Sequence, residues 1–149
     1  MKKLGIGIIN CNINDTCTIV EPVNIYGCDI DAKSFVGPFV EIQSGVNIGK
    51  HVRIQSHSFI CSGVSIGDYS FIGHGVMFIN DLFKNGGPAK GDTELYKDTV
   101  IGDHVSIGSN ATILPVKIAS YVVIGAGSVV TNDINAPGTY VGNPAKKIK

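Results

Sequence analysis

The chain has 149 residues, and its 12 basic side chains balance its 12 acidic ones, so that the formal net charge is zero. This balance argues against a general binder of nucleic acid or of anionic membranes, because such proteins carry a basic surface. No apolar run approaches the roughly 20 residues that span a bilayer, and Asn10, Asn12 and Asp15 interrupt the apolar segment that a signal peptide would need. We therefore expect a single domain, residues 1–149, in the cytoplasm.

A six-residue period dominates the sequence. Large apolar residues recur at every sixth position of its best-preserved stretch, which contains Ile30, Val36, Ile42, Ile48, Ile54, Ile60, Ile66, Ile72 and Phe78. A helix repeats every three or four residues and a lone strand every two, so a sustained period of six indicates a stacked repeat. A small or β-branched residue stands two positions before each large one and faces the same side of an extended segment. Each hexad is therefore predicted to be one short strand and one corner.

The repeat starts before this stretch and is interrupted once after it. Hexads are already in phase from Ile13, and residues 1–10 are predicted to form a partial first turn that shields the end of the stack. After Phe78 the pattern stops for residues 79–98, which contain three glycines, a proline and mixed charges, and it then resumes as far as Val130. A long loop in a compact domain is usually functional, so we expect residues 79–98 to protrude from one edge of the stack.

The segment 132–149 lacks the period and ends in a cluster of lysines, so it is predicted to run off the stack as a C-terminal tail. Cys11, Cys17 and Cys28 occupy the small inward position of the hexad. A reduced cysteine packs there as a compact apolar side chain. The spacing of these cysteines is not that of a zinc site, and we predict no metal-binding residue in this chain.

The hexads resemble the repeat of the left-handed parallel β-helix, a three-sided prism with about 18 residues per coil, as found in hexapeptide-repeat acyltransferases. The fold expected from this resemblance is all-β, a left-handed parallel β-helix of about six coils with one protruding loop. The handedness is implied by the resemblance alone, because ordinary parallel crossovers are right-handed. The resemblance also implies a homotrimer, with acetyl-CoA or another acyl-CoA as cosubstrate in a groove between neighbouring prisms and beneath the loop.

Four segments carry a closer resemblance, namely HSFI (57–60), GHGVMFIND (73–81), GAGSVV (125–130) and GNPA (142–145). They are similar to segments of N-acetyltransferases that acylate the amino group of a nucleotide-linked amino sugar during the synthesis of surface polysaccharides. The partners implied are a nucleotide-linked amino sugar and acyl-CoA, with neither nucleic acid nor a membrane.

Transfer of an acyl group to an amine requires a nucleophilic nitrogen, an acceptor for its proton and donors for the oxyanion that forms. Members of the resembling family often have a catalytic histidine at the start of the loop, where this chain has Asn80 and Asp81. We expect Asn80 to orient the amine or the thioester, and Asp81 or His74 to accept the proton. His57 is a further candidate, because its spacing from His74 places both near one edge of the prism. The alternative is that these residues only shape corners and turns.

Two groups of residues are candidates for contacts with the cofactor. Small residues on the late coils would allow pantetheine to approach the backbone: Gly108, Ser109, Gly125 and Ala126. The tail resembles the segment that contacts the adenosine and phosphate end of CoA, and its candidates are Asn143, Pro144, Lys146 and Lys147. Cationic side chains suit those phosphates. The alternatives are that the glycines only form corners and that the tail is a solvated terminus.

Three other functions are compatible with the repeat. An O-acetyltransferase is less favoured, because acylation of a hydroxyl depends more strongly on the loop histidine that this chain lacks. A zinc enzyme of the γ-carbonic anhydrase type could use His57 and His74, but a third ligand has no obvious source, since His51 and His104 are expected to be solvated corner residues. A non-catalytic spacer would have no use for the loop.

Overall fold

Three parallel sheets form the sides of a triangular prism in the computed structural model, which describes residues 1–149. Sheet A holds β1 (Ile8–Ile9), β4 (Asn24–Tyr26), β7 (Glu41–Ile42), β10 (Phe59–Ile60), β13 (Met77–Phe78), β16 (Thr112–Ile113) and β19 (Val129–Val130). Sheet B holds β2 (Asn12–Ile13), β5 (Asp29–Ile30), β8 (Asn47–Ile48), β11 (Val64–Ile66), β14 (Thr99–Ile101) and β17 (Lys117–Ile118). Sheet C holds β3 (Thr18–Ile19), β6 (Phe35–Val36), β9 (Arg53–Ile54), β12 (Phe71–Ile72), β15 (Ser106–Ile107), β18 (Val122–Ile124), β20 (Gly138–Gly142) and β21 (Ala145–Lys147). The chain visits the sheets in turn, which confirms the expected all-β parallel β-helix.

The core consists of apolar side chains stacked in register inside the prism. Ile25 lies level with Ile42 on the next coil, and Phe78 lies level with Ile113. The small inward positions often hold serine, because its buried hydroxyl can form two hydrogen bonds to the backbone of the next coil. The Oγ of Ser34, for example, donates to the Gly49 carbonyl at 2.8 Å and accepts from the Val52 N–H at 2.9 Å. These bonds remove the cost of burying a polar group.

Most turns between strands contain one residue with a left-handed backbone, and the three corners differ in the residues that they use. The A–B corner, which leads from sheet A to sheet B, uses Asn10, Gly27, Gly45 and Gly63. The B–C corner uses Lys33, His51, Tyr69, His104 and Tyr121. The C–A corner uses Phe39, His57, Gly75, Asn110 and Gly127. Glycine adopts a positive φ without steric cost, so the bulky side chains of the B–C corner stand where a glycine would suit the backbone better.

Two expectations about the ends of the stack need correction. Sheet A has seven strands, which is one more than six coils supply, because Ile8–Ile9 pairs with β4 and adds a rung. The segment 132–149 does not run off the prism. Gly138–Gly142 pairs in parallel with β18, and Ala145–Lys147 folds back on it as an antiparallel strand. The six-residue period fails there because the turn after Val130 is shortened, yet Ile134 is buried against the core.

The cysteines are free thiols. Burial, together with the adjacent Cys11 thiol, raises the pKa of Cys28 to about 12, and burial alone raises the pKa of Cys61 to about 12. Both thiols therefore stay protonated at neutral pH. Since their folded-state pKa lies above the ordinary value of 9.0, they favour the folded state fully below about pH 9 and lose this contribution as the pH rises towards 12. The chain contains no helix with the length and hydrophobicity needed to cross a membrane.

Candidate active site

The C–A corner brings together His74 and the small residues proposed from the sequence. The backbone N–H of His74 donates to the Oγ of Ser109 at 3.2 Å, and its carbonyl accepts from the Asn110 N–H at 2.8 Å. The imidazole of His74 is exposed and forms no hydrogen bond within the chain. Its ring nitrogens are therefore free to bind a ligand or accept a proton.

The floor beside His74 is formed by backbone. A β-carbon on Gly108 would collide with the backbone of Ala126 on the next coil, and one on Gly125 would collide with the side chain of Val141. Larger residues cannot replace these glycines without moving the neighbouring coil. These glycines therefore allow the close packing of successive coils, and the candidates Gly108, Ser109, Gly125 and Ala126 are half-buried or exposed at this corner.

The C-terminal candidates lie at the far end of the same corner. The Gly142 N–H donates to the Oγ of Ser128 at 3.1 Å, which holds the hairpin against the last coil. Asn143 and Pro144 form the exposed tip of this hairpin, and Lys146 and Lys147 lie exposed on its outer strand. The structure therefore places Lys146 near this end of the corner, whereas the Nζ atom of Lys147 lies over Gly138, at the opposite end of β20.

His57 shares the C–A corner with His74, one coil below. Its ring stacks on that of Phe39, with centroids 4.9 Å apart and planes 19° apart, and its backbone has a φ of 64°. His57 therefore has a packing role in the corner, in addition to its position near His74.

Asn80 and Asp81 lie elsewhere, at the A–B corner. Strand β13 separates them from His74, so a single chain does not bring the four catalytic candidates together. The side-chain amide of Asn80 donates to the Ser62 carbonyl at 3.1 Å. The two carboxylate oxygens of Asp81 accept from the backbone N–H groups of Phe83 at 2.9 Å and Ala89 at 2.7 Å. Asp81 thus organises the start of the loop.

The protruding loop packs on itself. It contains a short 3₁₀ helix, Thr93–Leu95, and an isolated bridge between Asp81 and Tyr96, and it buries Ala89. The groove expected between this loop and a prism face is absent from the single chain, because neither cavity has a loop residue in its lining. The larger cavity, about 600 Å³, lies on the outer face of sheet B.

We expect Asp81→Ala to loosen this loop without unfolding the prism. The substitution removes an acceptor of two backbone hydrogen bonds, and bonds to charged groups contribute about 1.5–3 kcal/mol each. Limited trypsin digestion should cleave after Lys84, Lys90 or Lys97 about tenfold faster, with a global free energy of unfolding changed by less than about 1 kcal/mol. The control Asp92→Ala removes one such bond, to Glu94, and should have a smaller effect. Unchanged digestion of the Asp81 variant would mean that its carboxylate does not hold the loop.

Two arrangements of side chains on the prism surface were not predicted from the sequence. The rings of His51, Tyr69, His104 and Tyr121 form one stack along the B–C corner, with neighbouring centroids 4.7, 5.0 and 4.9 Å apart. His51 and His104 are thus corner residues, as expected, with His104 exposed and His51 half-buried, and their rings in addition stack on those of the neighbouring coils. On the outer face of sheet C, Phe35, Arg53 and Phe71 lie level on three successive strands. In both arrangements the residues are one coil apart and lie outside the apolar positions of the hexads. This spacing is the sequence signal that could have revealed them.

Two family profiles match the repeats of this prism. One is described as bacterial transferase hexapeptide (six repeats) and matches residues 45–80, and the other is described as hexapeptide repeat of succinyl-transferase and matches residues 98–132. Together with the three-sheet fold, these matches show that the chain contains hexapeptide repeats over residues 45–80 and 98–132.

One curated protein and one solved structure illustrate what this chain is similar to. A chloramphenicol acetyltransferase from Klebsiella aerogenes is 51% identical over 53 residues, which cover 35% of this chain and 25% of that protein. The chain thus matches about a quarter of the length of this curated relative. The hexapeptide-repeat acetyltransferase VCA0836 from Vibrio cholerae, complexed with acetyl-CoA, has a TM-score of 0.67 and 28% identity, over 78% of this chain and 67% of that chain.

A variant of AntD, an N-acyltransferase from Bacillus cereus in complex with dTDP and coenzyme A, is similar over almost the whole chain. Its TM-score is 0.65 and its identity 25%, over 97% of this chain and 84% of that chain. Solved neighbours of this chain thus hold acetyl-CoA in one case and CoA with a nucleotide in the other.

Proposed function

We propose that the protein is an acyltransferase that moves the acetyl group of acetyl-CoA, or another acyl group, to the amino group of a nucleotide-linked amino sugar. The observation that carries the proposal is the C–A corner, where the free imidazole of His74 adjoins the small residues of the late coils, with Lys146 on the hairpin above them. The CoA complexes of VCA0836 and AntD support an acyl-CoA cosubstrate, and the dTDP bound to AntD supports a nucleotide-linked acceptor.

CoA fits the upper half of this corner. Its pantetheine arm would lie along Gly108, Ser109, Gly125 and Ala126, which are small and half-buried or exposed. Its phosphates would lie towards Asn143 and the lysines of the hairpin, because cationic side chains form strong hydrogen bonds with phosphate oxygens. The thioester would then face His74.

The reaction is the attack of the amine nitrogen on the thioester carbonyl carbon. A C–N bond forms, the C–S bond breaks, and the nitrogen loses a proton while the CoA sulfur gains one. Of the two residues expected to accept the proton, His74 is the better placed, because its ring is unpaired whereas both oxygens of Asp81 already bond the loop. His57, one coil below, would border the acceptor side of the site.

A second copy of the chain would complete the site. Asn80 and the loop occupy the A–B corner and cannot reach His74 of the same chain across the intervening side of the prism. In a homotrimer, the loop of one copy would lie over the C–A corner of its neighbour and form the groove that a single chain lacks. Asn80 would then orient the amine or the thioester from the neighbouring copy.

The test is the release of CoA thiol from acetyl-CoA in the presence of a panel of acceptors. The panel contains dTDP- and UDP-linked amino sugars and, as matched controls, the same nucleotide sugars with a hydroxyl in place of the amine. We expect thiol release only with the amines, and an acetylated product by mass spectrometry. Release with the hydroxyl acceptors alone would make the protein an O-acetyltransferase and overturn the proposal.

A further inference from the structure

Arg53 is the only arginine of the chain, and it is exposed on the outer face of sheet C, on the third of its eight strands in chain order. Its guanidinium lies 4.6 Å from the ring centroid of Phe35, which is a cation–π contact. It forms no ion pair or hydrogen bond with any other side chain. The stem is thus held by packing, while the N–H groups remain available to an anion.

An aromatic ring lies level with Arg53 on each side. Phe35 is level with it on β6 and Phe71 on β12, about 4.8 Å away along the stack. Phe71 is 39% exposed although it is a large apolar residue on a solvent face. Its open ring offers a stacking surface beside an unpaired cation.

The charges of the prism faces favour an anion here and not on the neighbouring face. None of the strands of sheet C contains an acidic residue. The cavity on sheet B has the opposite character, since Asp29, Asp31 and Asp68 line it and no cation does. A phosphate-bearing ligand would therefore be repelled from the only large cavity and attracted to the flat face of sheet C.

The combination of one planar cation and one exposed ring matches the two parts of a nucleotide. A guanidinium binds phosphate oxygens with two parallel N–H bonds, and aromatic rings stack on bases of any sequence. We propose that Arg53 binds the diphosphate, and Phe71 the base, of the nucleoside diphosphate to which the amino sugar is linked. This inference rests on the proposed function. It assigns the nucleoside diphosphate of the acceptor to the outer face of sheet C.

This place is compatible with the site at the C–A corner. Only Ile72 and Gly73 separate Phe71 from His74 along the chain, and the side chains of Phe71 and His74 are both exposed. The cofactor surface starts one coil above His74, at Gly108. The acceptor and CoA would thus approach His74 from opposite ends of sheet C.

The test is direct binding of dTDP and UDP, and of thymidine and uridine, to the full chain by isothermal titration calorimetry. Arg53→Met should weaken binding of the diphosphates about 10- to 100-fold, because it removes charge-assisted bonds, and should leave the nucleosides and CoA within about twofold. Arg53→Lys should recover only part of the loss, since lysine lacks the planar fork. Phe71→Ala should weaken diphosphates and nucleosides alike, by about 5- to 100-fold.

The matched control is Lys117→Met, which removes an exposed cation from sheet B. It should change neither the affinity for the diphosphates nor the affinity for the nucleosides. Sedimentation of each variant reports the oligomeric state. The inference is overturned if the wild type binds neither diphosphate, if Arg53→Met binds them as the wild type does, or if that variant instead changes the oligomeric state. The acyltransferase proposal would survive each of these results, because thiol release with the panel of nucleotide-linked amino sugars tests it separately.

Discussion

Replacing His74 by alanine is expected to lower kcat for acyl transfer by about 10²- to 10⁴-fold, the usual effect of removing a general base. The imidazole is the one free titratable group at the C–A corner next to the small-residue surface, and the amine must lose a proton when it attacks the thioester. The Kd for CoA should stay within about twofold, because the cofactor contacts lie on later coils. Steady-state thiol release and calorimetric titration with CoA measure the two quantities.

The matched control for this experiment is His104→Ala. His104 is also an exposed corner histidine, but it belongs to the ring stack of the B–C corner. Its replacement should leave kcat within about twofold. A fall of less than about threefold in kcat for His74→Ala would contradict the role given to His74 and would leave the departing CoA sulfur to take the proton.

Phe78→Ala is expected to lower the free energy of unfolding by about 3–5 kcal/mol, the usual cost of removing a buried phenylalanine. Phe78 is 1% exposed and is level with Ile113 on the next strand, in a position that other coils fill with isoleucine or valine. The neighbouring coils cannot collapse into the resulting cavity, because backbone hydrogen bonds fix their spacing. Urea unfolding followed by circular dichroism measures the change.

Phe83→Ala is the matched control for stability. Phe83 lies five residues further along, in the protruding loop, and is 60% exposed. Its replacement should change the free energy of unfolding by no more than about 0.5 kcal/mol. If both variants lost the same stability, the loop would share the core of the prism, and the description of residues 79–98 as an excursion from the stack would be wrong.

Most of the fold was readable from the sequence because it repeats. The apolar residue of each hexad must face inward for the coils to bury a common core, so Ile30, Ile48 and Ile66 define their positions without knowledge of distant contacts. The tail was misread for the same reason. Ile134 and Tyr140 continue the stack, but the shortened turn after Val130 removes the period that would have revealed them.

The candidate site was predicted less completely. Hexad spacing correctly placed His57 and His74 at one edge, and the six residues from His74 to Asn80 imply the next corner, yet the spacing could not show that the Asn80 amide bonds to the Ser62 carbonyl. It also could not show that Asp81 uses both carboxylate oxygens within the loop. Such bonds depend on how the loop folds back, which no periodicity describes.

The sequence by itself determined the stacked repeat, the position of the loop and the apolar core, since each depends on local spacing alone. Only the tertiary structure decided which side chains become neighbours across coils, such as Arg53 between two phenylalanines and His74 beside Ser109. The physical reason is that contacts between coils join residues about 17, 18 or 35 positions apart. Shortened turns and the loop change this interval along the chain, so the register has to be seen before these contacts are known.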